Sequence, residues 1–396
     1  MKVTQSSSVL NVRKGHGLEV NKLQEYLNQV MKPTGTTTQP RSRQLKLPLK
    51  KIEQFSFGQS NPTYLLIDSN DKKYVLRKKP NGSLLSKTAH AIEREYKVLY
   101  ALGKYTDVPV PGIMEFLDGR IITDPMMSVI PAAERKTYWR ELVSTLAKLH
   151  SVDWSKIGLE SYGKHSGYYE RQLKAMTKVT NAQANAKDPR TGKIAVGELP
   201  HINQVLGWFR QHPCPDDRTT IVHGDFKLDN VVFHKTEPRI IGILDWELST
   251  LGNPRADLAN MLQLYQSPYK NTSKDNNDSD AANTGLAISN GLRDAPPELG
   301  YPTSNQVLEW YCKQVGYEYP LVGWKAAKVF GLFRSAVILQ GVAVRKVLGQ
   351  ASSPFAHLAY SQIPIIMNMA LDVINNDQDD DDHDGGKRST GLVSKL

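Results

Sequence analysis

The stretch that decides the fold reads His223-Gly224-Asp225-Phe226-Lys227-Leu228-Asp229-Asn230 and lies between two short runs of strand-forming residues. After one more predicted strand the chain reads Ile243-Leu244-Asp245-Trp246-Glu247. Phosphoryl transfer needs a carboxylate beside the acceptor hydroxyl and hard oxygen ligands that hold Mg²⁺ against the phosphates. We interpret Asp225 and Lys227 as catalytic, and Asn230 with Asp245 as metal ligands.

The spacing of these residues agrees with that chemistry. Lys227 lies two positions after Asp225, Asn230 lies five after it and Asp245 twenty after it, as in the catalytic loop and metal-binding aspartate of protein kinases. Each residue also has an ordinary structural use at turns and strand ends. A turn does not require the whole set, so the spacing favours the catalytic interpretation.

On these residues the chain resembles the aminoglycoside phosphotransferase and choline kinase group within the protein-kinase-like fold, whose loop reads HGD. The resemblance spans roughly residues 18–371. It implies an α+β, two-lobed fold with a small antiparallel-sheet N-terminal lobe and a mainly helical C-terminal lobe. It also implies ATP and Mg²⁺ as cofactors. The segment that ends at Asp257 is short, without the long activation segment of protein kinases, which favours a small-molecule alcohol as substrate.

The N-terminal half contains candidates for a nucleotide site. Predicted strands at Thr63–Ile67 and Lys73–Arg77 form a hairpin, and a small polar loop precedes the first strand. Side chains alternate along a strand, so Val75 and Arg77 share one face. The resemblance implies that Arg77 binds phosphate with Glu95 as its partner, that Val75 covers the adenine, and that the linker backbone binds the adenine edge. The predicted nucleotide-binding residues are Gly58, Gln59, Ser60, Asn61, Val75, Arg77, Glu95, Met114, Glu115 and Phe116.

Several alternatives stay open in this half. The loop at 57–63 is also typical of a plain β-turn. Lys78 or Lys79 stands close enough to replace Arg77, and a solvated basic strand end would carry the same residues. Only two residues separate the Val108-Pro109-Val110-Pro111 stretch from Met114, where the family has room for a further strand. This predicts a truncated small lobe or an imperfect gene model.

The composition predicts a mostly folded protein with a few unstructured segments. Of the 396 residues 40% are hydrophobic and 23% are charged, which is ordinary for a soluble globular chain. The predicted units are a disordered lead at 1–17, for which a transit peptide is the weaker interpretation, a nucleotide-binding lobe at 18–117, a helical catalytic lobe at 118–374 with a solvated polar insert at 269–297, and a disordered acidic tail at 375–396. Periodicity predicts helices over 18–31, 89–102, 324–348 and 354–374.

Charge and cysteine use exclude several classes of protein. The net charge of +10 attracts anions such as nucleotides or coenzyme A, whereas no recognition module favours nucleic acid. Cys214 and Cys312 are too few for a disulfide framework or a metal cluster, and both are predicted to be buried thiols. No run approaches eighteen apolar residues, so membrane insertion and export are not expected.

The chain ends in Ser394-Lys395-Leu396, a tripeptide that a peroxisomal import receptor reads as an address. This predicts the peroxisomal matrix, with a passage through the cytoplasm before import. Within the family, the chain looks most like the kinase-like domain fused to acyl-CoA dehydrogenases in animals, over residues 57–64, 75–80, 89–99 and 245–258. Together these observations favour a hydroxyacyl-CoA acceptor. The competing hypothesis is a catalytically weakened nucleotide-binding protein or scaffold.

Overall fold

The computed structural model describes residues 9–10, 19–30, 45–55, 62–79, 92–270, 290–350 and 356–376. The strands are β1 Val9–Leu10, β2 Lys51–Phe55, β3 Thr63–Ile67, β4 Lys73–Arg77, β5 Thr220–Val222, β6 Val231–Phe233, β7 Ile240–Ile243 and β8 Thr250–Gly252. The α-helices are α1 Val20–Val30, α2 Ile92–Tyr105, α3 Ala132–His150, α4 Tyr168–Ala184, α5 Ile202–Gln211, α6 Arg255–Met261, α7 Ser304–Val315, α8 Trp324–Val347 and α9 Ala359–Asn375. The order of elements confirms the predicted α+β class.

The small lobe is an antiparallel sheet in the order β1-β2-β3-β4. The predicted hairpin is confirmed with its bounds, and Leu65 pairs with Val75 while Thr63 pairs with Arg77. Because side chains alternate, one face buries Tyr64, Leu66 and Tyr74 against Leu27 of α1. The opposite face therefore presents Val75 and Arg77 to α2 and the cleft.

One prediction for this lobe needs correction, and one strand was not predicted. The lead at 1–17 was expected to be disordered, but Val9 and Leu10 pair with Phe55 and Gln54 of β2. These two apolar residues favour a strand, and the open edge of β2 supplies the backbone partners. Strand β2 itself was not predicted because its burial does not alternate and its one buried residue, Gln54, is polar.

No strand follows α2 in the small lobe. Residues 106–131, all of which the structure describes, contain two isolated bridges, Tyr74–Glu115 and Arg120–Phe233, but no strand. Over the described residues the sheet therefore stops at β4, with the linker around Glu115 lying along its edge. The short interval before Met114 predicted this arrangement.

The large lobe is built on two apolar clusters. One lies between α3, α7 and the short strands that flank the loop 223–230, called the catalytic loop below after its counterpart in protein kinases. This cluster includes Phe226, Ile243 and Trp246. The other lies between α4, α5, α8 and α9 and includes Phe330 and Phe333. The catalytic loop lies between these clusters, because Phe226 packs into the first and α6 contributes residues to both.

Helix α8 is the central helix of the second cluster. By length and composition alone it is apolar enough to cross a membrane, but 67% of its most apolar window is buried inside the protein. Core helices of soluble proteins pass the same test. Its burial between α4, α6 and α9 explains its apolar composition without a membrane.

The polar insert predicted at 269–297 is only partly a solvated segment. Residues 271–289 lie outside the described residues, but Arg293 pairs with Pro268 and Leu292 is buried in the first cluster. The apolar side chains of Leu292 and Ala295 account for this packing, since burying them is favourable. The prediction of a wholly solvated loop is therefore wrong at Gly291 and Leu292, which are buried.

The two thiols are free. Cys312 is buried as predicted, and burial raises its pKa to about 11. Cys214 is partly exposed, contrary to the prediction, although desolvation raises the pKa of its thiol as well. Both side chains are therefore protonated at neutral pH.

Candidate active site

Asp257 of α6 anchors the loop between β5 and β6 through hydrogen bonds. The backbone N–H groups of His223 and Gly224 donate to its Oδ2 and Oδ1 at 2.6 and 2.8 Å. His150 Nε2 lies 3.3 Å from Oδ2 of the same carboxylate. Burial alone raises the pKa of Asp257, but the hydrogen bond and charge of His150, with His223, outweigh it and lower the pKa. Asp257 is therefore a buried, charged anchor of the loop.

Gly224 supplies a backbone conformation that this loop requires. Its φ is +86°, and an added Cβ would lie 2.7 Å from the carbonyl oxygen of Leu248. A residue with a side chain rarely adopts such a φ. The glycine therefore allows the loop to turn sharply between the buried His223 and the accessible Asp225.

Asp225 lies in the cleft beside its predicted partners. Asn230 Nδ2 donates to both the backbone oxygen and Oδ2 of Asp225, at 2.8 and 2.9 Å. Lys227 Nζ lies 3.5 Å from Oδ2 of Asp225 and 3.5 Å from Oδ2 of Asp229. The Asp225 side chain keeps 28% of its surface exposed, so an acceptor can reach it.

The charge of Lys227 is set by these two carboxylates. Burial by itself lowers the pKa of Lys227, but the charges of Asp229 and Asp225 outweigh it and raise the pKa. Desolvation raises the pKa of Asp229, which Lys227 only partly offsets. Lys227 is therefore a firmly protonated cation beside Asp225.

Asp245 follows β7 and meets the catalytic loop. The backbone N–H of Leu244 donates to the oxygen of Asn230 at 2.8 Å, which fixes the end of β7 beside the loop. Asp245 itself has φ of +64°, unusual for a non-glycine residue, and its side chain is 39% exposed. Asn230 thus contacts Asp225 directly, and Asp245 follows the residue whose backbone bonds Asn230.

Arg77 reaches this cleft from the small lobe. Its guanidinium forms an ion pair with Glu95 of α2, and its Nη2 lies 3.2 Å from Oδ1 of Asp245. Burial lowers the pKa of Arg77, but Glu95 and Asp245 raise it by more, whereas desolvation raises the pKa of Glu95. Lys79 instead pairs with the exposed Glu93, so the geometry favours Arg77 as the cation of the site.

The linker lies against β4, where the adenine was predicted to bind. The backbone N–H of Val75 donates to the oxygen of Met114 at 3.0 Å, and that of Glu115 donates to the oxygen of Gly112 at 2.8 Å. The ammonium of Lys73 lies 5.1 Å from the centre of the Phe116 ring. The backbone oxygen of Met114 and the backbone N–H of Glu115 therefore already have hydrogen-bond partners within the protein. The predicted loop residues Gly58, Gln59, Ser60 and Asn61 lie outside the described residues.

The residues of the site fit a magnesium–nucleotide complex. Asn230 and Asp245 offer hard oxygen donors, and Mg²⁺ is commonly held by one or two protein groups plus phosphates and water. Over the described part of the chain, no cluster of three or more His, Cys, Asp or Glu side chains forms another metal site. Nε of Arg77 is buried and has no hydrogen-bond partner among the described residues, so a phosphate oxygen could satisfy it.

Sequence reasoning missed two residues that touch the catalytic loop. Asn260 Nδ2 lies 3.5 Å from Oδ1 of Asp225, and Arg334 of α8 donates to the backbone oxygen of Gly224. Asn260 follows Asp257 by three positions and so lies on the same face of α6. Arg334 is a charged residue within an otherwise apolar stretch of α8. These two signals would have identified them.

Comparisons with known proteins agree with this site. Residues 51–283, more than half of the chain, match the family model of the phosphotransferase enzyme family APH. A solved Ralstonia eutropha structure, assigned to the aminoglycoside phosphotransferases, is 31% identical to this chain and superposes with a TM-score of 0.69. The match covers 90% of this chain and 98% of that one. The predicted kinase-like fold is thereby confirmed.

Two curated relatives are much longer than this chain. The probable acyl-CoA dehydrogenase IBR3 of Arabidopsis thaliana is 37% identical over 326 residues, which cover 76% of this chain and 37% of that protein. Human acyl-CoA dehydrogenase family member 11 is 34% identical over 366 residues, which cover 88% of this chain and 42% of that protein. The chain thus spans about two fifths of the length of these relatives. By its matched residues and its fold, it belongs to the APH phosphotransferase family.

Proposed function

We propose that the protein transfers the γ-phosphoryl group of ATP to a hydroxyl of a small molecule. The observation that carries this proposal is a set of contacts between the two lobes and the loop. Asn230 bonds Asp225, and the residue before Asp245 bonds the backbone of Asn230. Arg77 reaches Asp245 from the opposite lobe. Phosphoryl transfer depends mainly on positioning and on neutralising charge, and these residues supply both.

In the proposed reaction, Asp225 accepts the proton of the acceptor hydroxyl as the oxygen forms a bond to the γ-phosphorus. The bond between the γ-phosphorus and the bridging oxygen breaks, and ADP leaves with the electron pair. The Lys227 ammonium lies beside Asp225 and stabilises charge on the phosphoryl oxygens. When bound by Asn230 and Asp245, Mg²⁺ would neutralise phosphate charge. Arg77 orients the phosphates from the small lobe.

The acceptor that we propose is a hydroxyacyl-CoA from fatty-acid breakdown. Two observations support it: the curated relatives are named acyl-CoA dehydrogenases, and the chain carries a net charge of +10, which suits the phosphates of coenzyme A. The phosphorylated acyl-CoA would be the product of this site.

The test is to incubate the purified chain with Mg-ATP and a panel of hydroxyacyl-CoAs and free alcohols. Mass spectrometry should detect one added phosphoryl group on an acyl-CoA, and the Asp225→Asn variant, matched in size, should produce none. Phosphorylation of free alcohols alone would remove the acyl-CoA proposal and keep the phosphotransferase. No phosphorylated product and no ADP from the whole panel would contradict the phosphotransferase proposal itself.

We propose a peroxisomal location on the basis of Ser394-Lys395-Leu396, which lies outside the described residues. A fluorescent protein fused in front of the chain should colocalise with a peroxisomal marker. Deletion of Leu396 should return it to the cytoplasm, and an unchanged distribution after the deletion would contradict the proposal.

A catalytically weakened nucleotide-binding protein is the second candidate. Two observations favour it. The described residues 106–131 contain no strand, and the backbone oxygen of Met114 already accepts a hydrogen bond from Val75. Titration with Mg-ATP in a calorimeter separates the two candidates. Binding without ADP production over the whole acceptor panel would favour the second.

A further inference from the structure

Helices α4 and α8 run side by side away from the catalytic loop. At the near end, Tyr168 of α4 and Arg334 of α8 line one small cavity together with Gly224 of the loop. At the far end, Gln183 of α4 packs on Gly341 of α8, where an added Cβ would lie 2.5 Å from the Gln183 amide nitrogen. Two helices packed in this way leave a groove along their exposed side. This α4–α8 groove therefore begins at the catalytic loop.

The middle of the groove is apolar. Residues four or seven positions apart lie on the same face of a helix, so Ile338 and Arg345 of α8 share the face of Arg334. On α4, Val179 lies one turn before Gln183 on the same face. Ile338 is 48% exposed and Val179 is 45% exposed. The groove thus offers apolar surface from both helices.

Ordinary surface composition does not account for Ile338. Single exposed apolar residues are common on protein surfaces, but α8 otherwise buries its large apolar side chains fully or in part. Ile338 lies one turn after Arg334, which donates to the backbone oxygen of Gly224. One turn corresponds to about 6 Å along the helix axis. The exposed apolar surface therefore lies next to the loop that carries Asp225.

The far end of the groove offers a hydrogen-bond acceptor and a cation. Oε1 of Gln183 is buried and has no hydrogen-bond partner among the described residues, and such an oxygen is costly unless a donor reaches it. Nη1 of Arg345 lies 3.4 Å from the position of the added Cβ on Gly341. No carboxylate in the described part of the chain pairs with this guanidinium. A ligand with an N–H group and an anionic group would satisfy both side chains.

We propose that the α4–α8 groove binds the acceptor as an acyl-CoA. Its apolar chain lies against Ile338 and Val179, an amide N–H of its pantetheine arm donates to Gln183, and a phosphate binds Arg345. The order of these surfaces from the catalytic loop matches the order of groups along a hydroxyacyl-CoA. Arg345 lies about 16 Å beyond Arg334 along the helix axis, so the ligand is extended. The inference rests on the proposed phosphotransferase function and assigns its acceptor-binding surface.

The first test measures binding without turnover. The probe is a saturated long-chain acyl-CoA, which has no hydroxyl on its acyl chain, titrated into the protein in a calorimeter. Ile338→Ser should raise Kd roughly ten-fold, because apolar contact with the chain is lost. The matched control Ile365→Ser changes an exposed isoleucine of α9 and should leave Kd unchanged. An equal Kd in wild type and Ile338→Ser, or no binding to the wild type, would overturn the proposal.

The second test separates the phosphate contact from general attraction of anions. Arg345→Gln should raise Kd for the same probe roughly ten-fold, since a charge-assisted hydrogen bond is lost. Lys346→Gln removes the neighbouring positive charge in the last turn of α8, but position 346 lies off the groove face, so this variant should bind like the wild type. Similar weakening by the two substitutions would refute the role of Arg345.

The third test uses selectivity between acceptors of different length. Ile338→Ser should lower kcat/KM for a long-chain hydroxyacyl-CoA roughly ten-fold relative to a short-chain one. KM for ATP should not change, because the groove does not contact the nucleotide. A loss that is the same for both chain lengths would contradict an acyl-binding role.

The proposed function and the groove fail separately. If wild-type protein and Asp225→Asn release ADP equally, the phosphotransferase is refuted, and calorimetry still decides whether Ile338 contacts an acyl chain. If the wild type phosphorylates free alcohols but does not bind the acyl-CoA probe, only the assignment of the groove is refuted.

Discussion

At the scale of single residues, Asp225 and Asp245 have different partners, although both belong to the candidate site. Asp225 is bonded to Asn230 and approached by Lys227, and it has no ion pair with the small lobe among the described contacts. Asp245 is paired with Arg77 of the small lobe. Their substitution should therefore affect different steps.

Asp245→Asn should weaken Mg-ATP binding by roughly 10–100-fold, because losing a metal ligand removes at least as much affinity as losing a residue that supports one. The measurement is calorimetric titration with Mg-ATP, and with ATP in EDTA, where the variant should differ little from the wild type. Asp118→Asn is the matched control, since it removes an exposed carboxylate whose ion pair among the described residues is with Lys235. Equal loss in both variants would show a general charge effect and contradict the metal role.

At the scale of elements, the turn between β5 and β6 depends on one glycine. Gly224→Ala would combine a φ of +86° with a Cβ that lies 2.7 Å from the Leu248 oxygen. Gly158 has a comparable φ of +78° but open space around its Cα. Comparing alanine substitutions at the two positions therefore separates the free-energy cost of a positive φ from that of a steric clash.

We expect Gly158→Ala to lower the free energy of unfolding by about 1 kcal/mol and Gly224→Ala to lower it by about 1–3 kcal/mol more, since overpacking adds to the strain. Denaturant titration measures both values. Equal losses in the two variants would show that Leu248 yields to the added methyl group and that the clash costs nothing.

Helix α6 holds the loop through Asp257, which predicts a pH dependence of stability. Asp257 has a folded-state pKa below its ordinary value of 3.8, so the folded state binds fewer protons than the unfolded chain in that range. Its stabilisation is complete above the ordinary value and is lost as the pH falls through the lowered pKa. Acid should therefore loosen the anchor of the catalytic loop.

Asp257→Asn should lower the free energy of unfolding at pH 7 by about 2–4 kcal/mol, because the buried carboxylate accepts charge-assisted bonds from two backbone N–H groups. The difference between variant and wild type should shrink as the pH falls below about 4. Denaturant titrations at several pH values provide the measurement. A difference that stays constant down to the lowest pH would show that Asp257 does not carry the acid dependence.

At the scale of the whole molecule, the proposed nucleotide site joins the two lobes through the contact between Arg77 and Asp245. A ligand that binds only the folded state stabilises it according to its concentration relative to Kd. Mg-ATP at about 100 times its Kd should add about 2.7 kcal/mol to the free energy of unfolding. Thermal unfolding with and without Mg-ATP measures this gain, and Asp245→Asn at the same ATP concentration should lose about half of it or more. No shift in the wild type would contradict nucleotide binding.

Much of the site could be predicted because its residues are near neighbours in the chain. The spacing from Asp225 to Asn230 is short enough for the two to bond within one loop. The β3–β4 hairpin was predictable for the same reason, since its turn joins adjacent segments. The edge strand Val9–Leu10, the buried Leu292 and the pair Asn260 and Arg334 were missed, because each depends on a partner far away in sequence.

Spacing along the chain alone identified the loop from His223 to Asn230, in which Asn230 bonds Asp225 five positions away, and the aspartate that follows β7. Only the folded arrangement brought Arg77 to Asp245 across 168 positions and Arg334 to Gly224 across 110. The physical reason is that contacts between residues so far apart in sequence depend on how the sheet and the helices pack. Packing is set jointly by the apolar side chains of Tyr64, Phe226 and Phe330, and none of them carries the chemistry.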